Sequence, residues 1–239
     1  MSDRRRTGGA LLVTLLLILG LAVGADRVAA WGVARGVAHA VTVGGQDVHG
    51  AEVTIHGFPF LTQLARGSVD HATGSLGTGT FGGYQVSDVH LDARGLQPRA
   101  PWRVRTIKVD GLVSYATVAH VLSQQTGWDV RLAPAQGKPG AVQATFPTTI
   151  LGASVDVGAV VTPQVTDGST LTIHIESVSV GGVAVGIRQL PGGLGDALGN
   201  NSIPLTLPDG VTVTSVGVEP GGLRLHAEGQ DVPLQSLAR

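Results

Sequence analysis

The sequence predicts an α+β protein in which a long, strongly curved and bulged antiparallel β-sheet wraps helices around an apolar groove, preceded by an N-terminal signal or anchor helix. Three observations predict it. First, apolar residues alternate, skip one place and alternate again in the opposite phase at Tyr84–Val86 with Val89–Leu91, Trp102–Val104 with Ile107–Val109, Ile173–Ile175 with Val178–Val180, and Val211–Val213 with Val216–Val218. A helix would scatter such positions around its circumference. In a strand, one extra residue resets the face that side chains take, as a β-bulge does, and bends and twists the strand; a strand crossing between packing layers leaves the same pattern. Second, past Ala25 the chain reads as helix and then mostly strands. Third, hydrophobic residues make up 43% of the chain but aromatics only 4%, so the core is aliphatic. The 36 glycines follow no G-X-Y period and read as turn, bulge and close-packing positions.

In chain order, Arg4, Arg5 and Arg6 precede an uncharged stretch from Thr7 to Ala25 whose apolar heart is ALLVTLLLILGLAV. That pattern is a signal peptide or a minimal single-span anchor, and both send the rest of the chain outward. Val23 and Ala25 stand at the −3 and −1 positions for cleavage, which makes Asp26 the first mature residue. The chain of 239 residues therefore divides into a targeting segment, 1–25, and one folded domain, 26–239. Asp26 to Val41 is an Ala-rich helix with Val28, Trp31, Val37 and Val41 as its larger apolar groups and Asp26 placed to cap it.

The segment Gly57 to Asp70, GFPFLTQLARGSVD, is a short helix between Pro59 and Gly67. Phe60 or Leu61 with Leu64 form its apolar stripe, while Gln63 and Arg66 fall elsewhere on the wheel. Such a helix plugs the end of a core or walls an apolar pocket, and Phe58, Phe60, Leu61 and Leu64 are the candidate groove residues. A further helix starts at Ser114, turns Tyr115, Val118 and Leu122 to one side and stops at Gly127; a third is expected near Leu190 to Leu198.

The chemistry is sparse. The chain has no cysteine, which removes thiol catalysis, thiolate zinc sites, disulfides and a cysteine-linked lipid anchor. Removing residues 1–25 takes away three arginines and Asp3, so 16 basic and 17 acidic side chains become 13 and 16, the wrong sign for a nucleic-acid binder. The eight histidines contain no HExxH and no helical i, i+4 pair, and His49 and His56 are too loosely spaced for a metal. Gly193, Gly195 and Gly199 miss the dinucleotide fingerprint in their last interval, and Ser75 lacks the glycine of a nucleophile elbow. Arg94, Arg99, Arg103, Arg105 and Lys108 crowd fifteen residues, and Arg103 and Arg105 share the face opposite Trp102 and Val104. They form a solvated strand face or a patch for phosphate headgroups, for which Arg99, Arg103 and Arg105 are the candidates.

The GFPFLTQ run at 57–63 resembles the signature of the LmeA-like family of actinobacterial envelope proteins. The likeness recurs at ADRVAAWGVARGVA (Ala25 to Ala38), at DGLVSYATVAHVL (Asp110 to Leu122) and through Ser202 to Leu234. It implies a protein that binds phospholipids, phosphoinositides among them, supports lipoglycan mannan elongation, needs no cofactor and is not an enzyme. The fold it implies is similar to tubular lipid-binding proteins, where burial of about ten methylenes of an acyl chain is worth roughly 8 kcal/mol before ordering costs. The expectation is an exported protein on the outer face of the plasma membrane or in the periplasmic space of the envelope, anchored through its N-terminal segment or secreted, holding acyl chains in an apolar groove. The alternative is a lipid-free assembly partner of an envelope enzyme such as a glycosyltransferase; an enzyme on lipoglycan substrates would instead show a cleft with converging carboxylates.

Overall fold

The computed structural model describes residues 3–44, 46–81, 84–97, 103–150, 153–186, 202–205, 207 and 209–233, with the side chains of 3–18 and of some element ends outside that description. The chain opens with helix α1 (Asp3–Gly44), then β1 (Gln46–His49), β2 (Glu52–His56), α2 (Phe60–Arg66), β3 (Val69–Phe81), β4 (Tyr84–Gln97), β5 (Arg103–Ser114) and α3 (Tyr115–Thr126). It continues through β6 (Arg131–Pro134), β7 (Val142–Ile150), β8 (Ala153–Thr166), β9 (Thr170–Val180), β10 (Val183–Val185), β11 (Ser202–Pro204), β12 (Val211–Glu219) and β13 (Gly222–Pro233). The strands make two antiparallel sheets. One runs β1-β3-β4-β5-β13-β12 with β2 also on β3; the other runs β10-β9-β8-β7-β6 with β11 also on β9. All strands of the second sheet fall between β5 and β12, and the last hairpin returns to the first sheet by pairing β13 with β5. Neither sheet closes on itself, so the architecture is open α+β.

Three of the four phase reversals in the sequence are register breaks. The β4–β5 ladder slips between Ser87 and His90, where Asp88 takes a φ of 49°. The β8–β9 ladder slips between Val160 and Val161, and the β12–β13 ladder between Val213 and Ser215. The fourth is different. Val104 and Ile107 are both buried on a β5 whose register with β13 runs on from Lys108 to Arg103 without a slip, and Trp102 lies outside the described residues. There the face changes with no extra residue.

Helix α3 forms as its ends dictate. Ser114 accepts from Thr117 N at 3.2 Å, and Gly127 takes the left-handed φ of 73° that terminates the helix. It is also tied to two strands of the first sheet: the Tyr115 hydroxyl donates to Glu219 O on β12 at 2.7 Å, and Thr117 Oγ1 accepts from Gln85 N on β4 at 2.9 Å. Tyr115 packs with Val142 of the second sheet and Leu223 of the first, with Val118 beside them. Past its end, the Trp128 ring stacks on Phe146 at 4.5 Å over Val157, Ala159 and Val178.

Helix α1 corrects one expectation. It passes unbroken through Asp26, so that carboxylate does not begin a helix. Its buried positions are Asp26, Ala30 and Ala34, four residues apart, which leaves a narrow small-residue stripe against the protein. The run through residue 18 lies outside the described side chains, and among the described residues no helix is long and apolar enough to cross a membrane. The helix expected near Leu190 to Leu198 also lies outside the described residues.

Two glycine substitutions separate a required glycine from a tolerated one. A Cβ on Gly222, where β13 meets β5, would sit 2.0 Å from Val113 O, so Gly222→Ala should cost about 1–3 kcal/mol or more by displacing the ladder. A Cβ on Gly36 meets nothing within 4 Å in the middle of α1, so Gly36→Ala should gain roughly 0.5–1 kcal/mol. Urea unfolding of the two variants reads both signs.

Candidate functional site

The short helix α2 has no side-chain cap of its own, because the residue at its start is Pro59. The cap comes from α1. Asp26 Oδ1 accepts from Leu61 N at 2.7 Å, and Arg27 Nη2 donates both to Asp26 Oδ2 at 2.9 Å and to Gly57 O at 2.6 Å. The Arg27 guanidinium also lies 5.3 Å from the centre of the Phe58 ring. Asp26 is only 2% exposed. Burial alone would raise its pKa, but the amides of Leu61 and Phe60 and the Arg27 charge outweigh it and hold the carboxyl below its usual range.

The GFPFLTQ residues then sort by direction. Gly57 has a φ of 92°, and a Cβ there would meet Gln63 Nε2 at 2.5 Å, so glycine is demanded twice. The Phe58–Pro59 peptide is cis. Phe60 is buried against Ala30 of α1 and Val69 of β3, with Ile55 and Leu96 beside it. Gln63 is 1% exposed; its Oε1 accepts from Asp70 N at 2.8 Å and its Nε2 reaches His56 O at 3.5 Å. Gly67 closes the helix with a φ of 73°. The inner face of α2 is therefore Phe60 with Gln63, not the leucine stripe that helical spacing suggested. Phe58, Leu61 and Leu64 are 58%, 46% and 39% exposed, so three of the four groove candidates share the outside of this corner and Phe60 parts from them.

A cleft of about 340 Å³ adjoins the end of α2, lined by Ser68, Asp70, Arg94, Gly95, Arg105 and Thr106, with Gln97. Arg105 lies directly over Gly95, where a Cβ would come within 2.9 Å of the Arg105 Cβ. Arg103 is exposed beyond it and donates to Asp231 O at 3.5 Å, while Arg99 lies outside the described residues. Among the described residues neither Arg103 nor Arg105 has a carboxylate partner, whereas Arg94 pairs with Asp92 at 3.2 Å. Arg103 and Arg105 are legible in the sequence, whereas Asp26 and Arg27 join the site only through contacts 35 and 30 residues away, at Leu61 N and Gly57 O.

A second cleft, about 420 Å³, crosses β3, β4, β5, β13 and β12 and carries His90, Asp92, Lys108, Asp110, His226 and Glu228. Its carboxylates are already occupied. Asp92 binds His71 at 2.8 Å, which holds its carboxyl below the usual range; Glu228 binds Lys108 at 2.8 Å; Asp110 binds Arg224 at 3.2 Å. Arg224 also takes Asp88 at 2.6 Å and Glu219, and its pKa is raised chiefly by Glu219 and then Asp88. These are ion pairs across strands, and among the described residues no group of His, Asp and Glu could hold a metal ion.

An exposed apolar helix face beside a cleft where Arg105, among the described residues, has no carboxylate partner suits an amphiphile with an anionic head, as in a lipid binder of α+β architecture. The chain belongs to the LmeA-like phospholipid-binding family, whose model matches residues 24–228. The match takes in the Asp26–Arg27 clamp, α2 and the arginine cleft. No curated protein and no solved structure matches the chain.

The two faces of α2 predict opposite phenotypes. Phe60→Ala should cost about 3–5 kcal/mol by opening a cavity, and Gln63→Leu about 1–3 kcal/mol by leaving the Asp70 amide unpaired; chemical unfolding measures both. For Asp26→Ala the loss should depend on pH. The folded-state pKa lies below the ordinary value of 3.8, so the folded state binds fewer protons in the acid range. The ionised contribution is complete above 3.8 and is lost as pH falls through the lower folded value. The stability gap between wild type and Asp26→Ala should therefore be widest near neutral pH and narrow below 3.8.

Proposed function

We propose that this protein holds a phospholipid at the outer corner of α2, with the acyl chains over Phe58, Leu61 and Leu64 and the phosphate at Arg105 in the adjoining cleft, with Arg103 exposed beyond it. The observation that carries the reading is the adjacency of the two surfaces. Ser68 and Asp70 of the cleft follow α2 directly, and Ser68 N bonds to Gln63 O at 3.1 Å, so an apolar face and the cleft of Arg105 meet at one helix end. Each methylene buried against such a face contributes about 0.8 kcal/mol, and a guanidinium fork matches two phosphate oxygens. The charged start and apolar run of the sequence support export, with the domain on the outer face of the plasma membrane, where it serves lipoglycan mannan synthesis as a lipid carrier or presenter.

A non-catalytic role agrees with the description of the family as phospholipid-binding and with the paired state of the carboxylates in the larger cleft. The competing role, a lipid-free assembly partner of an envelope glycosyltransferase, would use the same exposed leucines against a polypeptide. Delipidation and reloading separate the two roles: the lipid reading requires recovered phospholipid occupancy, and a protein that stays empty supports the assembly role.

Two variants test the proposed contacts. Leu64→Asn, at a position 39% exposed, should reduce phospholipid occupancy after reloading while changing stability by no more than about 0.5 kcal/mol. A large loss of stability with undiminished occupancy would remove Leu64 from the contact. Replacing Arg103 and Arg105 together by Gln should weaken binding to anionic liposomes and flatten its salt dependence without altering the fold, as cosedimentation over a salt series would read.

A further inference from the structure

The clamp on α2 sits at a defined height along α1. The uncharged stretch from Thr7 to Ala25 has about 19 residues, which at 1.5 Å per residue spans roughly 28 Å, the thickness of a bilayer's hydrocarbon core. Helix α1 continues through its end without a break. The next two residues, Asp26 and Arg27, are the ones that hold Leu61 N, Gly57 O and the Phe58 ring. Phe58 and Leu61 are therefore held by the first two residues beyond the point where the apolar run ends.

From this placement we infer that in the uncleaved chain the exposed side of α2, together with the first turns of α1 beyond Ala25, is a surface that docks onto the phospholipid bilayer through which α1 would pass. The occupant follows from continuity and composition. Val28 and Trp31 are 67% and 60% exposed on α1, the Arg35 guanidinium lies 4.9 Å from the centre of the Trp31 ring, and Arg27 lies over Phe58. Apolar groups beside aromatic rings, each ring paired with a cation, make the composition of a headgroup boundary: rings stay at that level while arginines reach lipid phosphates. Arg66, at the last turn of α2, adds a cation that bonds only a backbone oxygen, Thr62 O, among the described residues.

The inference uses the same outer face of α2 as the lipid-holding proposal and goes beyond it, because docking concerns the bilayer and not a single extracted molecule. If both hold, the site faces the membrane that supplies its lipid, and α1 fixes the distance between them.

The absence of cysteine makes the test clean. Leu61→Cys and Leu64→Cys in the full chain would each carry one environment-sensitive fluorophore, with Val183→Cys on β10, also an exposed apolar position at 68%, as the remote reference. The proteins are reconstituted into vesicles of phosphatidylcholine and phosphatidylglycerol with or without bromine on the acyl chains. Docking predicts emission at shorter wavelength and bromolipid quenching for labels at 61 and 64, and neither for the label at 183. The quenching at 61 and 64 should exceed that of the same protein carrying one bromolipid in vesicles without bromine; quenching no greater than that of the single held lipid would overturn the inference. Labels at 61 and 64 that stay water-exposed and unquenched would overturn the inference, as would equal quenching at all three positions. Failure of lipid holding is read separately, from phospholipid occupancy after reloading.

Discussion

A carboxylate buried in the middle of a helix must find donors outside that helix's own backbone, and Asp26 finds them at the start of another. Its side chain supplies the cap that Pro59 cannot, and Arg27 closes the arrangement onto Gly57 O. This contact fixes α2 to the first helix, which also packs on β2: Ala30 then meets Phe60, Phe60 meets Val69, and Gln63 accepts from the Asp70 amide of β3. Small residues along α1 suffice because Asp26 and Phe60 fix the packing distance. The consequence for function is directional, since anchoring Phe60 and Gln63 inward leaves Phe58, Leu61 and Leu64 outward.

Much of the fold is legible in local pattern. Ser114 and Gly127 bound α3 because capping depends on residues within one turn, and three bulges are visible because one extra residue changes the parity of apolar positions. Val104 and Ile107 mislead for the opposite reason: their shared burial comes from packing across an unshifted ladder. The faces of α2 are less legible. An apolar wheel directs leucines inward, yet the buried place goes to Gln63, whose amide has partners at Asp70 and His56, while Gly57 makes room for it. Asp26 is a stronger case, because a cap whose acceptor and donor are 35 residues apart leaves no trace in spacing.

The larger sheet distributes charge in a way that restrains the functional reading. Histidines and carboxylates that in isolation suggest acid–base chemistry are instead cross-strand partners, with Arg224 gathering Asp88, Asp110 and Glu219. By contrast, Arg103 and Arg105 have no carboxylate partner among the described residues, and Arg105 lies in the cleft next to α2 with its exposed Leu61 and Leu64. The charged groups that hold the sheets are thus distinct from those left available to an anionic amphiphile.

The most direct test of that separation is to let a phospholipid report its own contacts. A phospholipid with a diazirine in its acyl chain, bound to the purified protein and photolysed, can be located by mass spectrometry of the digested chain. The account predicts adducts concentrated at 58–64, on Phe58, Leu61 and Leu64. Adducts concentrated on the second sheet, with none on α2, would contradict it.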